Sequence, residues 1–159
     1  MFLPVCVGEF SYFWPWISRA RGPIAQLTGY AARSTYPGPE IAKLTNTHWQ
    51  EHQAGRPLRL VVANTWLGGN IAVNTSAKTQ VFINANQDES PWLTAGKELD
   101  CGALVAFSKK GKGASNQAIN ELYASAKWKG TDYVYWSGTK GVKIDFNWAI
   151  IPANDNCLR

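Results

Sequence analysis

The chain has 159 residues, 45% of them hydrophobic and 17% charged, enough for one domain with a real buried core. Its 16 Lys plus Arg exceed its 11 Asp plus Glu by a net charge of +5, which suits an anionic partner such as a phosphate or a lipid headgroup. No basic block is dense enough to single out nucleic acid, and Cys6, Cys101 and Cys157 show neither a C-x-x-C pair nor metal-ligand spacing.

Residues 1 to 17, MFLPVCVGEFSYFWPWI, are apolar and aromatic but fit neither targeting template. A signal peptide carries positive charge before its apolar run, whereas Arg19 and Arg21 follow it here. A spanning helix needs about 20 apolar residues, and this shorter run is interrupted by Pro4, Glu9 and Pro15. Phe10, Tyr12, Phe13, Trp14 and Trp16 resemble an interfacial aromatic belt. Residues 1–35 are therefore either the remnant of a membrane helix plus a linker, or an apolar segment packed on the domain.

Tyr36-Pro37-Gly38-Pro39 breaks the chain before the strongest helical pattern, Glu40 to Gln53. Ile41, Leu44, Thr45, His48, Trp49 and His52 share one face, while Lys43, Asn46, Thr47 and Gln50 point away. Gly55 is the expected C-cap. His48-Trp49-Gln50-Glu51-His52 matches H-x-x-E-H, the inverted zinc-protease motif. A catalytic zinc needs a third protein ligand, and neither Glu98 nor Glu121 lies in a recognisable motif for it. Both histidines fall on the face that Ile41 and Leu44 bury, so hydrogen-bonded core or interface histidines are expected and no metal.

The stretch RPLRLVVANTWLGGNIAVNT, Arg56 to Thr75, organises the rest. Leu58, Leu60, Val61, Val62 and Ala63 read as a strand covered on both faces. Thr65 is the expected N-cap of a short helix running from Trp66 to Val73. Gly68 and Gly69 weaken that helix by roughly 1 kcal/mol each relative to alanine. They imply a close approach to the backbone, by a neighbouring element or by a ligand. A strand running into a helix start is where open α/β sheets hold their ligands.

Thr79 to Ala85 reads as a second strand, followed by a polar turn and by Ser90-Pro91-Trp92, an N-cap with Pro at the first helical position. Gly102 to Phe107 reads as a third buried strand, and a helix is expected from Ser115 to Lys127 with Ile119, Leu122, Tyr123 and Ala126 inward. Between them, Lys109, Lys110 and Lys112 interleave with glycines without the spacing of a Walker loop. Three ammonium groups at a strand end favour an anion; the alternative is a solvated loop. Tyr133 to Trp136 and Val142 to Ile151 read as a β-hairpin, with Val142, Ile144, Phe146, Trp148 and Ile150 on one face. Pro152 stops it, and 153–159 is a polar tail. The order implies an α/β fold for residues 36–152: a three-layer sandwich with a mostly parallel sheet and an antiparallel C-terminal hairpin at one edge.

Several pieces in this order carry a resemblance: Pro37-Gly38, the helix ending near Trp49, Gly55-Arg56-Pro57-Leu58, Trp66-Leu67-Gly68-Gly69-Asn70, Ser90-Pro91-Trp92 and Trp148-Ala149-Ile150-Ile151-Pro152. Together they resemble the soluble C-terminal domain of bacterial multi-spanning glycosyltransferases of the protein O-mannosyltransferase and aminoarabinose-transferase type (family 39-like). The resemblance covers Tyr36 to Pro152. It implies a domain on the periplasmic side of the inner membrane, whose missing membrane portion carries the catalytic acidic residue and binds a polyprenyl-phosphate sugar. On that footing the chain is a truncated product or an excised domain, non-catalytic by itself. Its expected partner is the membrane domain or a lipid-phosphate headgroup, without a cofactor and without nucleic acid. Family members carry an acidic residue just before the Trp-Leu-x-Gly-Asn run, where this chain has Asn64-Thr65. The alternative is a free-standing α/β module that binds a nucleotide or other phosphorylated ligand at the strand carboxyl ends. The candidate ligand-binding residues are Asn64, Thr65, Trp66, Asn70, Lys109, Lys110 and Lys112. A periplasmic location permits disulfides, and Cys101 at the start of the third strand and Cys157 beyond the last can meet at one end of the sheet.

Overall fold

A computed structural model describes residues 33–75, 78–110, 116–136, 141–154 and 157. The chain divides into two compact units, one of Pro37–Val134 with Lys143–Arg159 and another of Met1–Tyr36 with Tyr135–Val142.

The first unit is an α/β fold. In chain order it contains α1 (Gly38–His52), β1 (Leu60–Ala63), α2 (Thr65–Val73), β2 (Gln80–Ile83), α3 (Ala95–Asp100), β3 (Ala103–Ser108), α4 (Gln117–Ser125), β4 (Trp128–Tyr135) and β5 (Lys143–Ile151). The strands form one five-stranded sheet in the order β2-β1-β3-β5-β4. Both β2 and β3 run parallel to β1, with Val62 opposite Phe82 on one side and Val105 on the other. β5 runs antiparallel to β3, from Ala103 against Ile151 to Ser108 against Phe146. The three parallel strands expected from the apolar runs are present, but the sheet as a whole is mixed rather than mostly parallel. β5 and β4 make up the remainder because a hairpin returns the chain without a crossover helix.

Side chains alternate across a strand, so successive residues sort the helices onto two faces. Leu60, Val62, Phe82, Ala103, Val105 and Phe107 pack with Ile119 and Ala126 of the α4 region and with Leu93 and Leu99. The intervening residues Val61, Ala63, Leu104 and Ala106 face the other way and are also fully buried. That second face receives α2 and α1. A Cβ added to Gly68 of α2 would lie 2.5 Å from Val81 Cγ1 and 3.2 Å from the Ala63 Cβ. On α1, the His48 ring stacks on Trp148 at a centroid distance of 4.0 Å.

α1 buries Ile41, Ala42, Thr45 and Trp49 as its 3.6-residue period requires. Its C-cap is Gln53 rather than Gly55, which sits with φ 77° in the turn behind it. Trp49 closes that turn by donating its Nε1–H to the Arg56 carbonyl at 2.8 Å. The expected helix start at Ser90-Pro91 does not form. The buried Ser90 hydroxyl instead accepts from the Ile83 N–H at 2.9 Å, and α3 begins at Ala95. β4 starts at Trp128, five residues before the expected Tyr133.

One end of the sheet is tied covalently. Cys101 and Cys157 are bonded with their Cα atoms 4.6 Å apart, the pairing expected from the strand ends. Beside it, Asn154 donates its backbone N–H to the Asp100 carbonyl at 2.8 Å and its amide to the Asp100 carboxylate at 2.6 Å. Gly102, with φ 87°, turns the chain from α3 into β3. A Cβ there would lie 2.9 Å from the Ala153 backbone nitrogen, so both the conformation and the space call for glycine.

In the second unit, Arg33–Thr35 form a single 3-10 turn. The Tyr36 ring meets Trp136 edge to face at 5.3 Å, and the Trp136 Nε1–H donates to Thr35 Oγ1 at 2.9 Å. The Trp136 backbone N–H donates to the Val142 carbonyl at 2.8 Å and closes the hairpin. Burial pushes the Tyr36 phenol up from 10.0 to about 12. The aromatic run at residues 1–17, and most of the polar tail after Asn154, lie outside the described residues. No described helix is long and apolar enough to cross a membrane.

Candidate functional site

β1 and β3 are parallel neighbours, so both leave the sheet at the same end. From Ala63 the chain turns to α2 on one face, and from Ser108 it proceeds to α4 on the other. Two adjacent strands whose helices depart to opposite faces form a topological switch point, the crevice in which open α/β sheets bind ligands. Val62 is level with Val105. Two residues further along each strand come Asn64 and Phe107, with Lys109 and Lys110 next after Ser108.

The capping residue is Asn64, one position before the expected Thr65. In an extended conformation, φ −67° and ψ 161°, its side-chain oxygen accepts from the Leu67 N–H at 2.9 Å. Thr65 is exposed, and Trp66, at the first turn of α2, is 46% exposed. Asn70 lies further along the helix and is spent on structure. Its amide donates to the Trp66 carbonyl at 2.8 Å, and its Oδ1 lies 2.5 Å from where a Gly38 Cβ would stand. Lys109 donates its backbone N–H to the Asp145 carbonyl, and Lys110 donates its own to Ser108 Oγ. Both ammonium groups are on exposed side chains that enter no salt bridge among the described residues. Lys112 lies outside the described residues.

The two glycines of α2 have different reasons. Gly68 is buried against Val81 and Ala63, so a neighbouring element occupies the space its side chain would fill. Gly69 faces open space, with nothing within 4 Å of an added Cβ.

Three features of this end were not visible in the sequence. Asn116 caps α4 by accepting from the Ile119 N–H, and its amide donates to the Asn84 carbonyl at 3.0 Å. That clasp joins the end of β2 to the start of α4. The β2 turn it grips carries two non-glycine residues at φ 53°, Asn84 and Ala85. At the same end of the sheet, Lys143 lies 5.1 Å over the Tyr133 ring and 3.2 Å from the Asp145 carboxylate. Tyr133 is 53% exposed. Exposed aromatic and cationic residues, Trp66, Tyr133, Lys109, Lys110 and Lys143, thus share this end with the acidic residues Asp88, Glu89 and Asp145.

The two histidines of α1 serve the second face of the sheet. His48 presents Nε2 to Asp132 Oδ2 at 2.6 Å and Nδ1 to Glu51 Oε2 at 3.3 Å. His52 stacks on Trp128 at 4.8 Å. Each ring thereby stacks on an indole, His52 also lying 6.2 Å from Trp148, and among the described residues no three His, Cys, Asp or Glu side chains converge as metal ligands would. Asp132 was not foreseeable as a partner, because it lies 84 positions from His48.

No protein-family model matches this chain, and neither curated proteins nor solved structures give a match.

Proposed function

We propose that this chain is a non-catalytic accessory domain of a membrane glycosyltransferase that uses a lipid-linked sugar. In this reading the carboxyl end of its sheet turns toward an anionic headgroup or the transferase's membrane portion, on the periplasmic side. The observation that carries the reading is that exposed Trp66 and exposed Lys109 and Lys110 follow the carboxyl ends of two neighbouring parallel strands. An indole beside cations suits a boundary that is apolar on one side and anionic on the other. The Cys101–Cys157 bond supports an oxidising compartment. The carboxylates support a structural rather than a chemical role. Glu89 accepts from Asn84 and Asn86, Asp100 from Asn154, Asp132 from His48, and Asp145 pairs with Lys143.

The test is co-sedimentation of the full chain with vesicles of phosphatidylglycerol or of phosphatidylcholine. Binding is expected to the anionic vesicles alone, weakened by salt and by Trp66→Ala or the pair Lys109→Gln and Lys110→Gln. Equal binding to both vesicle types, or none, overturns it. Supplied with a polyprenyl-phosphate sugar and acceptors, the chain alone is expected to show no turnover.

The switch point between β1 and β3 favours a second reading, a module that binds a nucleotide or other phosphorylated ligand at the α2 N-terminus. Saturable binding of a soluble nucleotide, lost with the same lysine pair and without any vesicle binding, selects it instead.

A further inference from the structure

The opposite, amino-terminal end of the parallel strands holds a cavity of about 500 Å³ lined by Pro57, Arg59, Lys78, Gln80 and Glu98. That volume lies within the range of small-molecule sites. The strands meet here in fixed register. Gln80 donates its backbone N–H to the Arg59 carbonyl at 2.7 Å, and Thr79 donates its hydroxyl to the Leu58 carbonyl at 2.8 Å. Glu98 comes from α3, the helix anchored three residues later by the Cys101–Cys157 bond and by Asn154 on Asp100. The walls are thus two strand starts and a covalently braced helix.

The charged side chains of this cavity do not satisfy one another. Arg59, Lys78 and Glu98 enter no salt bridge among the described residues although they line one space. Glu98 is half-buried, so its carboxylate is only partly compensated by water. A simple anion such as phosphate would meet both cations and be repelled by Glu98. A ligand that pairs every group carries two negative charges for Arg59 and Lys78, and one positive donor for Glu98. With that stoichiometry its net charge of about −1 offsets the net +1 of the described lining residues.

We propose that this cavity binds a free acidic α-amino acid. One carboxylate lies on Arg59 and the other on Lys78, the ammonium group lies on Glu98, and the Gln80 amide is available as an additional donor. This site is separate from the carboxyl end of the sheet and does not rest on the function proposed there.

The experiment is a calorimetric or NMR titration of the oxidised full chain with L-glutamate, glutarate, L-glutamine and inorganic phosphate in turn. Glutarate lacks the ammonium group and L-glutamine lacks the second carboxylate. L-Glutamate is expected to bind about tenfold more tightly than either, the worth of one charge-assisted contact. Glu98→Gln is expected to abolish the preference for L-glutamate over glutarate. Arg59→Gln and Lys78→Gln, both at exposed positions, are each expected to weaken L-glutamate by about tenfold while leaving the fold intact by circular dichroism. Lys43→Gln, at an exposed position of α1 away from this cavity, is expected to leave L-glutamate binding unchanged. Glutarate or phosphate binding as tightly as L-glutamate overturns the proposal. So does the absence of saturable binding up to about 10 mM, or a preference that survives Glu98→Gln.

Discussion

Asp132 holds the His48 ring by a contact of 2.6 Å, and the same ring lies flat on Trp148. One imidazole therefore joins helix α1, strand β4 and strand β5. Asp132→Ala leaves the ring nitrogen without its carboxylate in a half-buried setting, and the expected loss is about 1–3 kcal/mol of unfolding free energy. Urea unfolding checks it, and a loss below about 0.5 kcal/mol would show the contact to be incidental.

The α2 glycines predict opposite signs. Gly68→Ala pushes a methyl group against Val81 at 2.5 Å, and is expected to destabilise by about 1–3 kcal/mol. Gly69→Ala meets open space and gains helix propensity, so about 1 kcal/mol of stabilisation is expected. Thermal unfolding of the two variants side by side checks the pair.

The Cys101–Cys157 bond closes a loop with a sequence separation of 56 residues. In the chain-entropy account a loop of that length stabilises by roughly 4 kcal/mol. Cys157→Ser, or reduction with dithiothreitol, is expected to lower the unfolding midpoint accordingly, and the reduced wild type and the variant should then coincide.

Tyr36 gives a pH dependence. Its phenol ionises at about 12 when folded and near 10.0 when exposed. Between those values the unfolded chain loses a proton that the native chain keeps, so the contribution is complete below pH 10 and lost as pH rises toward about 12. Spectrophotometric titration should show one tyrosine ionising late, and Tyr36→Phe should remove that step.

What was legible in the sequence follows a physical division. The near-continuous apolar runs of β1 and β3 and the helical period of α1 are statements about burial, and burial decided those elements. The abrupt end of the β1 run at Asn64 marked the carboxyl end of that strand, because a strand stops where its apolar cover stops; the switch point itself follows from the strand order β2-β1-β3. The caps were not legible to one residue, since Asn64 and Thr65 both carry capping oxygens and only the backbone turn chooses between them. Ser90 looked like a cap because its hydroxyl was free to be assigned locally; the fold directs it back to Ile83 instead. The first half of β4, Trp128-Lys129-Gly130-Thr131-Asp132, has no apolar alternation and contains a glycine. It is a strand because β5 offers it an edge and because Gly130 leaves room for the Trp148 ring, 2.8 Å from where a Cβ would be. That Arg59, Lys78 and Glu98 line one cavity depends on which strands are neighbours, and no local pattern contains that.

The cross-link also decides how the chain carries load. Tension applied beyond Cys157 passes through the sulfur atoms directly to Cys101, bypassing the intervening segment that contains β3, α4, β4 and β5. Pulled from both ends in an oxidising buffer, that segment bears no force and cannot be drawn out. With 56 residues of separation, the stretched chain is then roughly 190 Å shorter than its reduced form.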